Sequence, residues 1–301
     1  GGLILFERNY ENPKQLKILI EDLQSLTAQH SPPLFISVDQ EGGRVARLNE
    51  PFTKFPPMCC LGEANSDDLA YRFGIAMGKE MKAVGINMDY APVLDVHSNP
   101  ENPIIGKRAI SSNPEVVARL GCKIIQGFKD AGIFPVGKHF PGHGDTSQDS
   151  HLTLPRVERS KESLEKMELV PFAQAFQEGL DVIMTAHVVY PAWDENSAAT
   201  FSKYILNDIL RKKMNFQGLV MSDDLEMQAV TQTPEELPAL AINAGVDLFL
   251  ICHDLDKVTR LQDAMIDGIE TGKIPHKTVD NSFNRIIKSK EKLTDDREIG
   301  L

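Results

Sequence analysis

Residues 138–151 read KHFPGHGDTSQDSH and set Lys138, His139, His143, His151, Asp145 and Asp149 among Pro141, Gly142 and Gly144. Three kinds of chemistry could use such a set: metal ligation, proton transfer, or the hydrogen bonding of a polar turn. The histidine spacings, His-x3-His and His-x7-His, run across proline and glycine. Those residues break helices, so the stretch cannot offer two imidazoles on one helical face as an H-E-x-x-H zinc site does. No H-x-H occurs anywhere in the chain. The sequence therefore predicts neither a metal nor a cofactor here. Asp149-Ser150-His151 suits proton transfer better, because a carboxylate two residues before an imidazole can bond one ring nitrogen and raise the basicity of the other. His143 acquires no role from its position.

Other ionisable residues stand at the ends of short apolar runs. Seven runs read as strands: 2–6 (GLILF), 34–38 (LFISV), 86–90 (INMDY), 134–137, 182–185 (VIMT), 218–222 (GLVMS) and 246–251 (VDLFLI). Their near-continuous hydrophobicity marks strands covered on both faces, as in a parallel sheet. LFISV runs into Asp39, NMDYAPV into Asp95, PVG into Lys138-His139, VIMTA into His187, and GLVMS into Asp223-Asp224. Parallel α/β folds gather such strand ends on one rim, and barrels keep their chemistry there. In VDQEGGRV, Gly42-Gly43 permits a tight turn that brings Arg44 and Arg47 behind Asp39. Each residue also has a plainer use. Asp39 could cap a helix or close a turn, Asp95 could hold a loop through backbone donors, and His187 could be a hydrogen-bonding scaffold. Neighbouring strand residues point to opposite faces, so the pattern admits only one of Asp223 and Asp224 to the barrel mouth and leaves open which.

The elements that must position these residues alternate with amphipathic stretches at 13–26, 67–84, 114–131, 161–179 and 203–214. Asn12-Pro13, Asn113-Pro114 and Thr233-Pro234 put proline at a first helical position, and Gly85, Gly132 and Gly245 stand where helices must end. With no break in composition, residues 1–301 are expected to form a single catalytic (β/α)8 TIM-type barrel domain. An open doubly wound sheet is the alternative. Seven runs are one short of a barrel, and the chain starts directly on a strand. The first βα unit is thus expected to be missing from this chain, or to be supplied by a partner.

The hydrophobic fraction of 42% and net charge of −11 fit a soluble globular protein. The absence of any Lys/Arg block argues against nucleic acid or an anionic membrane as a partner. No apolar run reaches the length of a spanning helix. The four cysteines include the adjacent pair Cys59-Cys60 and no C-x-x-C, so buried reduced thiols are expected rather than a disulfide framework.

Several stretches together resemble the β-N-acetylhexosaminidases of glycoside hydrolase family 3, of the NagZ type. KHFPGHGDTSQDSH resembles that family's loop signature, VDQEGGRVARL its sugar-binding segment, YAPVLDV its third-strand segment and MSDDLEM its nucleophile strand; GLILFERNY and TAHVVYP match as well. The matches run in order from residue 1 to about 255. The resemblance implies a (β/α)8 barrel whose usual first strand and helix lie upstream of GGLILF. It also implies Asp223 as nucleophile, His151 as general acid/base oriented by Asp149, and sugar contacts from Asp39, Arg47, Arg108, Lys138 and His139, with His187 lining the same site. GKRAISS departs from the pattern, with Ile110 and Ser111 where the family often carries an aromatic residue and glycine.

The implied activity is retaining hydrolysis of terminal β-linked N-acetylglucosamine from anhydro-muropeptides of peptidoglycan, with no cofactor. A phosphorylase on the same scaffold, or a muropeptide-binding protein without turnover, would be the alternatives. The free cysteines and the resemblance to recycling enzymes point to the cytoplasm, although a lost N-terminus could have carried an export signal.

Overall fold

A computed structural model describes residues 1–27, 32–147 and 154–298. Its main sheet has seven parallel strands: β1 (Gly2–Leu5), β2 (Phe35–Val38), β3 (Met88–Asp89), β4 (Phe134–Phe140), β5 (Val182–Thr185), β8 (Leu219–Asp224) and β9 (Leu248–Leu250). Spatial order follows chain order, apart from a small antiparallel pair, β6 (Val189–Tyr190) and β7 (Asp194–Ala198), inserted after β5. This is the β-α succession read from the sequence, and the sheet curls as a barrel wall does. Phe35, Met88, Val136, Val182 and Leu219 pack together on its inner face. Ile36 and Val38 face outward into helices. Burial on both faces explains why the strands read as unbroken apolar runs.

Among the described residues β1 and β9 share no ladder, and they are the two edges of the sheet. Their upper ends nevertheless meet. Arg8 donates from Nη2 to the Cys252 carbonyl at 2.6 Å, and the Phe6 and His253 rings lie 5.5 Å apart. The sheet is thus a barrel wall with one open seam, drawn together at the rim by side chains.

The helices are α1 (Pro13–Ser25), α2 (Cys59–Ala64), α3 (Asp67–Ala83), α4 (Pro114–Asp130), α5 (Lys161–Met167), α6 (Leu169–Gln177), α7 (Leu237–Ala244), α8 (Leu255–Glu270) and α9 (His276–Glu298). Asn12 and Asn113 cap α1 and α4 through their side chains, each just before a proline. Gly85, Gly132 and Gly245 adopt positive φ after their helices, as the pattern predicted. Three expectations change. The stretch 161–179 breaks at Glu168, because Pro171 offers no N–H to the Met167 carbonyl and its ring crowds that position. Residues Tyr204–Lys213 wind wider than an α-helix, with the Met214 N–H bonding the Ile209 carbonyl five residues back. Thr233-Pro234 makes a turn ahead of α7 instead of its first residue, and Glu236 accepts from the Thr233 N–H at 2.9 Å.

No described helix is long and apolar enough to cross a membrane. All four cysteines are free thiols; only Cys122 is buried, and the other three are half-buried, less covered than expected.

Helices α3 and α4, which feed β3 and β4, approach backbone to backbone at Gly74 and Gly127. A methyl at Gly127 would fall 2.3 Å from the Tyr71 carbonyl oxygen. Gly127→Ala should therefore force the helices apart and destabilise by about 1–3 kcal/mol, a cost typical of overpacking. Calorimetry should record a lower Tm than wild type, and an unchanged Tm would show that the pair yields without strain.

Candidate active site

The carboxyl ends of the strands open into a cavity of about 480 Å³ walled by Asp39, Arg47, Arg108, Lys138, His139 and Asp223. Lys138-His139 and Asp223-Asp224 are consecutive pairs, yet all four residues line it. Two β-bulges account for this. Between Gly137 and Phe140, β4 advances three residues while β5 advances two, from Ile183 to Thr185. Between Met221 and Asp224, β8 likewise advances three while β9 advances two, from Leu248 to Leu250. Each bulge adds a residue and breaks the alternation of faces. The expectation that one acid of the pair must point away is therefore corrected, since it assumed a regular strand.

Beneath the cavity lies a buried lattice of charge. Lys138 Nζ is 2.5 Å from Asp39 Oδ1 and 2.6 Å from Glu41 Oε1. Glu41 also takes two bonds from Arg108, Nε to Oε2 at 2.8 Å and Nη2 to Oε1 at 2.7 Å. Arg47 Nη2 reaches Asp39 Oδ2 at 3.4 Å. Burial opposes the charge on Glu41, but the Arg108 guanidinium and the Lys138 ammonium outweigh it and hold the carboxyl far below its usual range. Burial would likewise discharge Lys138, and Asp39 with Glu41 raise it instead. Such a lattice is sound only while each charge keeps its partner.

The turn that delivers Glu41 depends on its glycines. Gly42 and Gly43 hold φ of +89° and +62°, and a methyl on Gly42 would lie 2.5 Å from the Pro56 carbonyl oxygen. Gln40 clamps the same turn. Its backbone N–H donates to Asp89 Oδ1 at 2.9 Å, and its Oε1 accepts the N–H groups of Arg47 and Leu48 at 2.8 and 3.0 Å.

Asp95 is fully buried and holds the start of the histidine-rich loop. Its Oδ1 accepts the His139 and His143 N–H groups at 3.0 and 2.7 Å, and its Oδ2 lies 2.7 Å from His139 Nδ1. This is the loop-holding use considered from the sequence. Asn102 fixes the next turn by donating from Nδ2 to the His143 and Gly144 carbonyls at 2.9 and 3.1 Å. His143 lines the cavity with Nδ1 2.9 Å from Thr146 Oγ1, and burial lowers its pKa to about 4, so the ring is neutral near pH 7. Asp149 and His151 lie outside the described residues.

The two acids of β8 are electrostatically unlike. Burial would raise Asp223, but His139, His187 and Lys138 leave its carboxyl below the usual value, ionised at neutral pH. Asp224 is shifted upward, mainly by burial, and accepts the Glu226 N–H at 3.0 Å. His187 sits behind them, outside the cavity wall. Its Nε2 is 3.1 Å from the Asp224 carbonyl oxygen and its Nδ1 2.8 Å from Thr200 Oγ1, the scaffold arrangement weighed from the sequence.

This rim chemistry sits on a fold with known relatives. Residues 1–289 match the glycosyl hydrolase family 3 N terminal domain. The chain belongs to glycosyl hydrolase family 3. A β-hexosaminidase A from Pseudoalteromonas piscicida is 38% identical, covering 97% of this chain and 53% of its own length. The structure of a family 3 β-N-acetylglucosaminidase from Paenibacillus sp. str. FPU-7 superposes with a TM-score of 0.96 at 41% identity, covering 98% of this chain and 57% of that one. The chain thus spans little more than half the length of either. NagZ from Neisseria gonorrhoeae in complex with N-trifluoroacetyl-D-glucosamine superposes with a TM-score of 0.81 at 37% identity, over 93% of this chain and 85% of that one.

Sequence reasoning on this family 3 chain passed over Glu41, although the carboxylate stands between Gln40 and a Gly-Gly turn at the end of an apolar strand. A stability test isolates its contribution. Glu41 has a folded pKa below its ordinary 4.5, so its stabilisation is fully present above that pH and is lost as pH falls. Glu41→Gln should cost about 3–5 kcal/mol at neutral pH, the range for breaking a buried pair. Unfolding measured across pH should show variant and wild type converging in acid, whereas a constant gap would deny the charge any part.

Proposed function

We propose that residues 1–301 are the catalytic barrel domain of a retaining β-N-acetylglucosaminidase that removes terminal β-linked N-acetylglucosamine from peptidoglycan fragments in the cytoplasm. The observation that carries this reading is the ionised Asp223 set in the same cavity as Lys138, His139, Asp39, Arg47 and Arg108. An anionic nucleophile facing a pocket of fixed donors and acceptors suits attack on an anomeric carbon.

In this mechanism the Asp223 carboxylate attacks the anomeric carbon while His151, oriented by Asp149, protonates the departing oxygen. His151 then takes a proton from water, which releases the sugar from the covalent intermediate. The low pKa of Asp223 beside the raised one of Asp224 supports choosing the first acid as nucleophile. Asp39, Arg47, Lys138 and His139 bind sugar hydroxyls from the cavity wall, and His187 supports the nucleophile strand through the Asp224 carbonyl. Arg108 is positioned for the sugar by its fork on Glu41. Two names support the choice of sugar: the Paenibacillus relative is called a β-N-acetylglucosaminidase, and the Neisseria structure holds an N-acylated glucosamine analogue. The muropeptide aglycone and the cytoplasmic setting rest on the sequence resemblance.

Two substitutions test the assignment on an aryl N-acetylglucosaminide. Asp223→Ala should abolish measurable turnover. His151→Ala should lower kcat/KM on a natural muropeptide by about a hundred- to ten-thousand-fold, and by much less on an aryl glycoside with a good leaving group. Full activity in Asp223→Ala would refute the nucleophile. Sugar 1-phosphate formed on adding phosphate would make the enzyme a phosphorylase.

A further inference from the structure

Glu168 is a carboxyl that the mechanism does not use. It stands at the break between α5 and α6, is 0% exposed, and among the described residues its Oε2 has no hydrogen-bond partner. Directly above it runs the loop that leaves β4. A methyl at Gly142 would lie 2.4 Å from Glu168 Oε2. Glu168 Oε1 is 3.3 Å from Ser98 Oγ, and the same hydroxyl is 3.3 Å from Asp145 Oδ1. A hydroxyl carries one proton, so it can serve only one of the two carboxyls at a time. Asp145 has a second partner, since Arg159 Nη2 donates to it at 2.6 Å. Among the described residues Glu168 has no such cation of its own.

The groups facing Glu168 come from every element packed on it. Asp95 follows β3, Asp145 lies in the loop after β4, Arg159 precedes α5, and the Tyr190 phenol comes from β6. Tyr190 also holds the loop from the far side, its hydroxyl donating to the Gly142 carbonyl at 2.5 Å. Burial first, and then Asp95 and Asp145, push the Glu168 pKa up to about 8, against a smaller opposing pull from Arg159. An uncharged carboxyl can stand under the glycine without displacing it. An anion there would repel Asp145 and compete for Ser98 and Arg159.

We propose that Glu168 is a positioning residue that works as a neutral acid: protonated, it seats residues 142–145, and on ionising it unseats them together with the chain leading to Asp149 and His151. The catalytic consequence rests on the glycosidase reading; the seating of the loop does not.

The test follows Glu168→Gln, which keeps the shape and removes the titration. Beside the band of Asp89, which burial also keeps protonated, wild-type infrared spectra should show a second protonated-carboxyl C=O band by difference from E168Q, present at neutral pH and fading with a midpoint of about 8. Trp193, the single tryptophan, has its ring 5.7 Å from Tyr190 and reports the loop through it. Its emission should change with the same midpoint in wild type and stay flat in E168Q. On a muropeptide, whose departing oxygen needs the His151 proton, wild-type kcat/KM should fall more steeply above the midpoint than that of E168Q, which keeps only the limb set by His151 itself.

Asp145→Asn provides a second variant should E168Q fail to fold. It removes an anion beside Glu168 and frees Arg159, so the midpoint should move to lower pH in all three readouts. The proposal is overturned if wild type lacks the band at neutral pH, if E168Q keeps the wild-type alkaline limb, or if D145N leaves the midpoint in place. Should no protein cleave the glycoside while band and emission titrate together, the seating stands and the glycosidase reading falls.

Discussion

One buried carboxylate, Glu41, sets the position of two cations in the rim. Lys138 and Arg108 reach it from segments far apart in the chain, one a strand end and the other a loop 67 residues from Glu41. Without that anion each cation would be a desolvated charge seeking another partner, and Asp39 is the nearest one available. With it, Asp39 shares Lys138 and keeps capacity for Arg47 and for a ligand in the cavity. The wall that faces the substrate is thus arranged by a group that does not line it, a common economy in sites that must be rigid before anything binds.

The two bulges complete the same arrangement from the strand side. A regular strand can offer the mouth only every second residue. The extra residue in β4 and the one in β8 allow consecutive side chains to enter together, so a lysine, a histidine and two acids come from only two strands. The glycine-rich turn after β2 supplies Asp39 and Arg47, and a separate turn at Gly106–Arg108 supplies Arg108. Fixed backbone geometry and buried charge pairing therefore share the task of holding the site, and neither would suffice alone.

Much of this was legible in the sequence. Apolar runs ending in Asp39, Lys138-His139 and Asp223-Asp224 led to residues that line the cavity, because burial on both faces leaves a plain pattern that polar residues interrupt at the mouth; the same pattern at Asp95 and His187 led to buried supports behind it. The Asn-Pro helix starts and the glycine stops were equally plain, being local chemistry. The bulges were not legible, since nothing in VGKHF or VMSDD differs from a regular strand; the extra residue is fixed by partners on β5 and β9. Glu41 was hidden for a similar reason, its partners being distant in sequence. Glu168 lay inside an apparently continuous amphipathic helix, and only the crowding at Pro171 signals the break. The choice of Asp223 over Asp224 and the parts given to Asp149 and His151 came from resemblance, not from the residues themselves.

The seam between β1 and β9 bears on how the molecule is made. The contact that draws the rim together there, Arg8 to the Cys252 carbonyl, joins residues 244 apart. Lys138 and Asp39 are 99 apart. Contacts of such separation repay their loop-closure entropy only late in folding. During synthesis the cavity would therefore have no complete wall until β9 had left the ribosome, however well β1 to β5 had already paired. Chemistry at this rim would switch on all at once, when β9 joins the sheet, and not grow strand by strand.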